Sequence, residues 1–282
     1  MAVYDGSQMA QEQLLEVAKL CAQAVLKSPQ ITGKLKFHLK IVTGEDLEPI
    51  MSALAALGKI DLFNMASAMC WTRTYYEGRP PVLLLIGANA RHSDLHWNCG
   101  ACGFRTCGEF NRYAAETKPE PLLMGDGPTC HWLNLDFSAA CCYACATAWT
   151  HNVTNRIEIA TGMAARHIGY LPECNYSLGL PLGPCEDLYW YSRSAFQDLV
   201  SYDLYMNNFI EAFPHHFAAF YGSGKNEIKW KDEWWKGPKH RGLEPPRDPA
   251  VIRSLFEEAR EEVEKARQKK EALDARRKET GA

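Results

Sequence analysis

The chain has 282 residues, 46% hydrophobic and 23% charged, enough to bury a full core without covalent staples. Its 31 Lys and Arg against 34 Asp and Glu leave a net charge of −3, so no overall positive field would hold nucleic-acid phosphates. No apolar run approaches the roughly 20 residues of a bilayer span, and residues 1–10 lack the basic and apolar blocks of a signal peptide; a cytoplasmic protein is expected. Eleven cysteines in that setting point to metal or redox chemistry, and an odd number cannot all pair within the chain.

Residues 8–27 predict a helix whose apolar face is Leu14, Leu15, Ala18, Cys21, Ala22 and Val25. After a turn at 28–33, residues 35–42 alternate apolar and polar, the period of a half-buried strand, with His38 on the polar, solvated side. Thr43 predicts the cap of a second helix that Gly58 stops. A third helix is expected over 62–76, and Val82–Ala88 is a continuous apolar run that suits a strand buried on both faces. Residues 109–117 predict a short helix and 119–128 a loop. Leu133–Trp149, apolar on nearly every face, predicts a fully buried helix. Asn155 reads as the cap of a helix through Ile168, with Glu158 three positions on and Gly169 just beyond the end. A last strand is expected over 175–182, helix with many aromatics over 193–220, and a charged helix over 250–277 with a weak heptad that Lys270 interrupts.

The chemistry concentrates in Asn98-Cys-Gly-Ala-Cys-Gly-Phe-Arg-Thr-Cys107. Cys99, Cys102 and Cys107 fall within nine residues, beside Gly100, Gly103 and Gly108. Thiolates are strong ligands for iron clusters and zinc, and closely spaced cysteines let one loop wrap three corners of a [4Fe–4S] cluster. Glycines admit backbone angles closed to other residues and let peptide N–H groups approach the sulfurs. Zinc sites more often come as two close pairs, so three close cysteines and a distant one favour iron. A cubane needs a fourth ligand. Cys130 is preferred, in the loop before the buried helix; Cys141, Cys142 and Cys145 compete from within that helix, where cysteine is a common buried residue.

At these residues the sequence resembles a prokaryotic family of proteins with a ferredoxin-type [4Fe–4S] domain, long left without an assigned function. The stretches that carry the resemblance are Ile41-Val-Thr-Gly-Glu-Asp, Ile86-Gly, the cysteine motif, Gly127-Pro-Thr-Cys130, Asp136 and its helix, Asn155-Arg-Ile, Gly162-Met-Ala-Ala, Leu178-Gly-Leu-Pro-Leu and the aromatics around Tyr189–Tyr191. They span roughly residues 8–195 in order. The resemblance implies Cys99, Cys102, Cys107 and Cys130 as cluster ligands. The chain departs from the family in its three cysteines at 141, 142 and 145 and in its extension beyond the family domain.

The expected architecture is therefore a mixed α/β fold, a sheet packed by helices with an iron–sulfur loop and a C-terminal helical arm. Residues 1–222 form the core domain with the cluster segment at 92–131, residues 223–248 a Trp- and Lys-rich strap, and residues 249–282 a charged helical tail. The expected function is electron transfer, as partner or subunit of a cytosolic redox enzyme met through the C-terminal arm; a homo-oligomer is compatible with the same reading. No P-loop or dinucleotide fingerprint follows a predicted strand. The order of elements is nonetheless similar to flavin-binding nitroreductase-like proteins, so the alternative is an oxidoreductase in which the cluster feeds FMN or FAD. The second alternative is a scaffold protein whose metal only orders the loop. Arg91 and Arg156 are weak candidates for anion contacts. His215 and His216, adjacent on a helix, point apart and are read as surface.

Overall fold

The computed structural model describes residues 3–60, 62–117, 125–183 and 249–280. The expected helix over 193–220, the strap at 223–248, the boundary at 222 and Cys185, His215 and His216 lie outside the described residues. Helices α1 (Gly6–Lys27), α2 (Leu47–Gly58), α3 (Leu62–Tyr76), α4 (Cys107–Glu116), α5 (His131–Thr150), α6 (Ile159–His167) and α7 (Pro249–Thr280) surround strands β1 (Phe37–Val42), β2 (Val82–Ala88) and β3 (Tyr176–Leu182). This is the mixed α/β fold that the periodicities imply. No helix among the described residues is long and apolar enough to cross a membrane.

The strands form an antiparallel sheet in the order β1-β2-β3, with His38 opposite Gly87 and Ile86 opposite Leu178. Strand β2 is buried at every position because both faces are covered. Its alternate residues divide between two cores. Leu83 and Leu85 join α2, α3 and α6, whereas Val82, Leu84, Ile86 and Ala88 join α1 and α5. A central strand covered on both faces explains the unbroken apolar run.

Several local expectations change. Thr43 makes no side-chain cap: residues Gly44–Asp46 form a single 3-10 turn, and α2 begins at Leu47. Helix α2 ends at Gly58, which is its last residue and has no positive φ, and glycine is required there by packing, since a Cβ would lie 2.9 Å from the Met65 Cα of α3. Asn155 to Glu158 is not helical. Asn155 bridges Leu182 and Glu158 bridges Gly179, so the segment extends alongside β3 and α6 starts at Ile159. The Glu158 carboxylate does not reach back to cap; it is buried and accepts from Trp71 Nε1 at 3.0 Å and Thr161 Oγ1 at 2.5 Å. Helix α5 is buried on one face only. Leu133, Phe137, Ala140, Cys141, Ala144 and Ala148 face inward, while Leu135, Tyr143 and Trp149 are exposed.

Helix α7 lies against α2, with Ala259 buried and Val263 and Ala266 in the same core as Leu83. Lys270, which interrupts the heptad in sequence, places its ammonium 5.3 Å from the Tyr170 ring centroid, a favourable seat for a cation. Around the seam Lys59 pairs with Glu258 at 2.7 Å and Glu262 at 2.6 Å, Arg276 pairs with Glu45 at 2.7 Å, and Lys269 and Arg277 pair with Glu48 and Asp46. Exposed pairs of this kind contribute little each; the apolar seam seats the helix and the charges set its register.

Candidate metal centre

Strand β2 delivers the chain to the cysteine segment at a fixed point. Asn175, buried at the start of β3, is the knot there: its Oδ1 accepts from Ala90 N–H at 2.8 Å, its Nδ2 donates to the Asp126 carbonyl at 2.9 Å, and its own N–H donates to the Ala88 carbonyl at 3.1 Å. The Cys130 N–H donates to the Ala90 carbonyl at 2.8 Å, which brings the start of α5 beside the end of β2. Arg166 of α6 closes the same corner through an ion pair with Asp126 at 2.7 Å, both side chains nearly buried. Asp136, one helical turn and more beyond Cys130, is buried and accepts from the Ile31 N–H at 2.6 Å and the Thr32 N–H at 3.1 Å, which ties the turn after α1 to α5.

The loop is organised from both ends. Ser93 and Asn111 exchange hydrogen bonds at 2.8 and 3.1 Å, fastening the start of the segment to α4. Arg91 donates to the carbonyls of Ala114 and Thr117, the latter at 2.6 Å, so it caps the C-terminus of α4 and is not an anion contact. Thr106 caps the N-terminus in a full capping box with Glu109. Asn98 Oδ1 accepts from the Cys107 N–H at 2.9 Å and closes the loop on itself. Gly100 and Gly103, on either side of Ala101-Cys102, take φ of +74° and +87°, angles that favour glycine, and the Gly103 N–H donates to the Gly100 carbonyl at 2.9 Å to close the turn.

These contacts bring the thiols of Cys99, Cys102, Cys107 and Cys130 to the lining of one pocket, with Leu95, Trp97, Phe104, Phe110 and Trp132 as its apolar wall. Cys107 is the first residue of α4 and Cys130 the N-cap of α5. Both therefore sit where free N–H groups and the positive end of a helix dipole favour an anionic group. Cys99 is the exposed corner, and the indole Nε1 of Trp132 donates to its sulfur at 3.2 Å. Trp132 in turn packs edge-on to Trp97, ring centroids 6.0 Å apart. His96 and His131 are exposed, and Arg105 is exposed with its backbone N–H donating to Glu109 at 3.1 Å.

Thiolate sulfur is the donor that iron–sulfur clusters take, and four cysteines line this pocket, so the donor set fits such a group. Cys141, Cys142 and Cys145 stand on the middle of α5. Cys141 packs in the core with α1, and burial pushes the thiols of Cys141 and Cys145 upward, the latter to about 12. The Tyr176 hydroxyl, which no sequence signal singled out, is buried with no hydrogen-bond partner among the described residues. Burial pushes it upward first, followed by Cys141, Cys130, Cys174 and Asp136. Asn175 was equally silent in sequence, because a single buried asparagine has no periodicity.

The Cys99 thiol is held below the usual range, first by the Ala101 N–H and then by the Trp132 indole. In cluster-free protein its thiolate therefore builds up before the pH reaches the ordinary thiol value of about 8.5. Iodoacetamide labelling followed by peptide mass spectrometry is expected to modify Cys99 first of the four as pH rises. Trp132→Phe should slow that labelling by roughly a few-fold at neutral pH; equal rates in the two proteins would refute the hydrogen bond's role.

Residues 126–187 match the family model described as "Uncharacterized protein containing a ferredoxin domain (DUF2148)". The match holds Cys130, Asp136 and Asn175, and begins after the three-cysteine loop. An uncharacterized protein of Archaeoglobus fulgidus is 27% identical over 168 residues, covering 58% of this chain and 83% of that protein. No solved structure matches the chain. The corner that fixes Cys130 beside the cysteine loop thus carries the signature of the ferredoxin-domain family that the motif resembles, and that likeness supports iron–sulfur binding.

Proposed function

We propose that this chain binds a [4Fe–4S] cluster through Cys99, Cys102, Cys107 and Cys130 and serves as an electron carrier for a cytoplasmic redox enzyme. The observation that supports it most is the convergence of four thiols from the loop, the start of α4 and the cap of α5 on one apolar-walled pocket. When bound, such a cluster supplies one-electron transfer. The chain's own residues do the rest. The first turns of α4 and α5 present N–H groups toward negative charge, and Trp97, Phe104 and Trp132 limit water around the sulfurs. Cys99 marks the side of the pocket that is open to solvent. The proposed contact with a redox partner or enzyme subunit is the outward face of α7, where Glu257, Arg260, Glu261 and Glu264 are exposed.

Anaerobically purified protein should hold about four irons per chain and show broad visible absorbance that bleaches on reduction. Colourless protein with zinc and no iron would overturn the reading. Flavin released on denaturation would replace the carrier with a flavin-dependent reductase.

A further inference from the structure

A second set of metal-ligating side chains lies at the same end of the sheet, outside the cysteine pocket. His38 opens β1 directly opposite Gly87 of β2 and shares its face. On that face, at the rim of the core that α2, α3 and α6 make with the sheet, the turn before β3 brings in Glu173 and Cys174. His38 Nδ1 lies 2.7 Å from Glu173 Oε1, and the Cys174 sulfur lies within 4.8 Å of both. His38 is thus not simply solvated surface: its side chain is 35% exposed and already paired.

The sulfur has a seat made for it. A Cβ on Gly87 would stand 2.7 Å from Cys174 Sγ and 2.8 Å from Leu171 Cδ1, so only glycine at 87 leaves the thiol room beside the histidine. Asn89 donates to the Glu173 carbonyl at 3.2 Å and fixes the backbone of the turn. Cys174 is buried while His38 and Glu173 are partly open to solvent, so the group has a closed side of protein and an open side of water.

We propose that His38, Glu173 and Cys174 form a mononuclear site for a divalent transition-metal ion of the zinc class, with solvent completing the coordination. Imidazole nitrogen, carboxylate oxygen and thiolate sulfur are the three donor types zinc accepts, and three protein ligands with one open position is a common arrangement for it. One carboxylate and one thiolate balance the charge of a dication; without metal, burial and then Glu173 push the Cys174 thiol up to about 12, so the ion must displace that proton to solvent. The close His38–Glu173 contact holds the two donors side by side, and a metal would enter between them. This site goes beyond the proposed cluster and shares no ligand with it.

The test measures zinc and iron together on full-length, anaerobically prepared protein equilibrated with Zn²⁺ and freed of excess ion. The expected result is that His38→Ala, Glu173→Gln and Cys174→Ser each lose one zinc per chain relative to the parent while iron is unchanged. Zinc K-edge absorption should assign a single sulfur to the ion that is lost. Zinc content equal in the parent and in Glu173→Gln, a partly exposed position where folding is not at issue, would overturn the proposal. The iron count reports on the cysteine pocket independently, so failure of one site is distinguishable from failure of the other.

Discussion

Cys130→Ser is expected to empty the cysteine pocket, with iron falling from about four per chain to below one. Cys141→Ser and Cys142→Ser are expected to leave iron unchanged. The difference follows from place, not from residue type. Cys130 caps α5, is buried, and is pinned by its own N–H to the end of β2, where the loop begins. Cys141 follows it by eleven residues on the same helix, about 16 Å further along the axis at about 1.5 Å per residue. Its thiol is packed with α1, and burial disfavours its thiolate. Serine is close to cysteine in volume and suits the N-cap position that Cys130 occupies, so the fold is preserved and the measurement reads ligation. Iron quantitation on the anaerobic variants decides it: loss in Cys141→Ser with retention in Cys130→Ser would move the fourth ligand to the middle of α5.

Gly162→Ala should be the most damaging single methyl group that can be added among the described helices. Helix α6 rests directly on the backbone of β3. A Cβ on Gly162 would stand 2.5 Å from the Leu178 Cα and closer still to the Ser177 carbonyl oxygen. These are backbone atoms, so no rotamer change relieves the clash, and α6 must lift from the strand. Its lifting also strains the hydrogen bond from Ser177 Oγ to the Gly162 carbonyl at 2.7 Å. Overpacking of this kind costs about 3 kcal/mol, which in a chain of this size lowers Tm by about 6–12 °C. Gly108→Ala is the control. It too sits in a helix, but its nearest neighbour would be Thr106 Oγ1 at 3.9 Å, and the gain in helix propensity makes it neutral or slightly stabilising. Thermal unfolding followed by circular dichroism separates the two, and equal midpoints would refute direct seating of α6 on β3.

Much of the fold was legible because burial repeats with a period. The apolar stripe of α1, the alternation in β1 and the unbroken run of β2 each reported their own environment. What failed was whatever depended on a distant partner. Asn155 and Glu158 carry the spacing of a helix cap, but Trp71, 87 residues away in sequence, takes the Glu158 carboxylate. Gly58 ends α2 as expected, but that α3 packs against it could not be read from the chain. Helix α5 is rich enough in apolar residues to suggest burial all round, yet α1 and the sheet cover only one side. In the cysteine pocket, spacing identified three thiols at once. It preferred Cys130 over the cysteines of α5, but the contact of Cys130 with Ala90 and the hydrogen bonds of Asn175, which bring Cys130 beside the loop, leave no pattern in the chain.

The cysteine pocket is built of unequal corners. Cys107 and Cys130 ride on helix ends locked to the end of β2 and to α4's own cap, whereas Cys99 and Cys102 hang on a loop that turns through two glycines. For the proposed cluster the corners would then differ in exposure: the two on helix ends are buried, and Cys99 is the sulfur that solvent and any dissolved oxidant reach first.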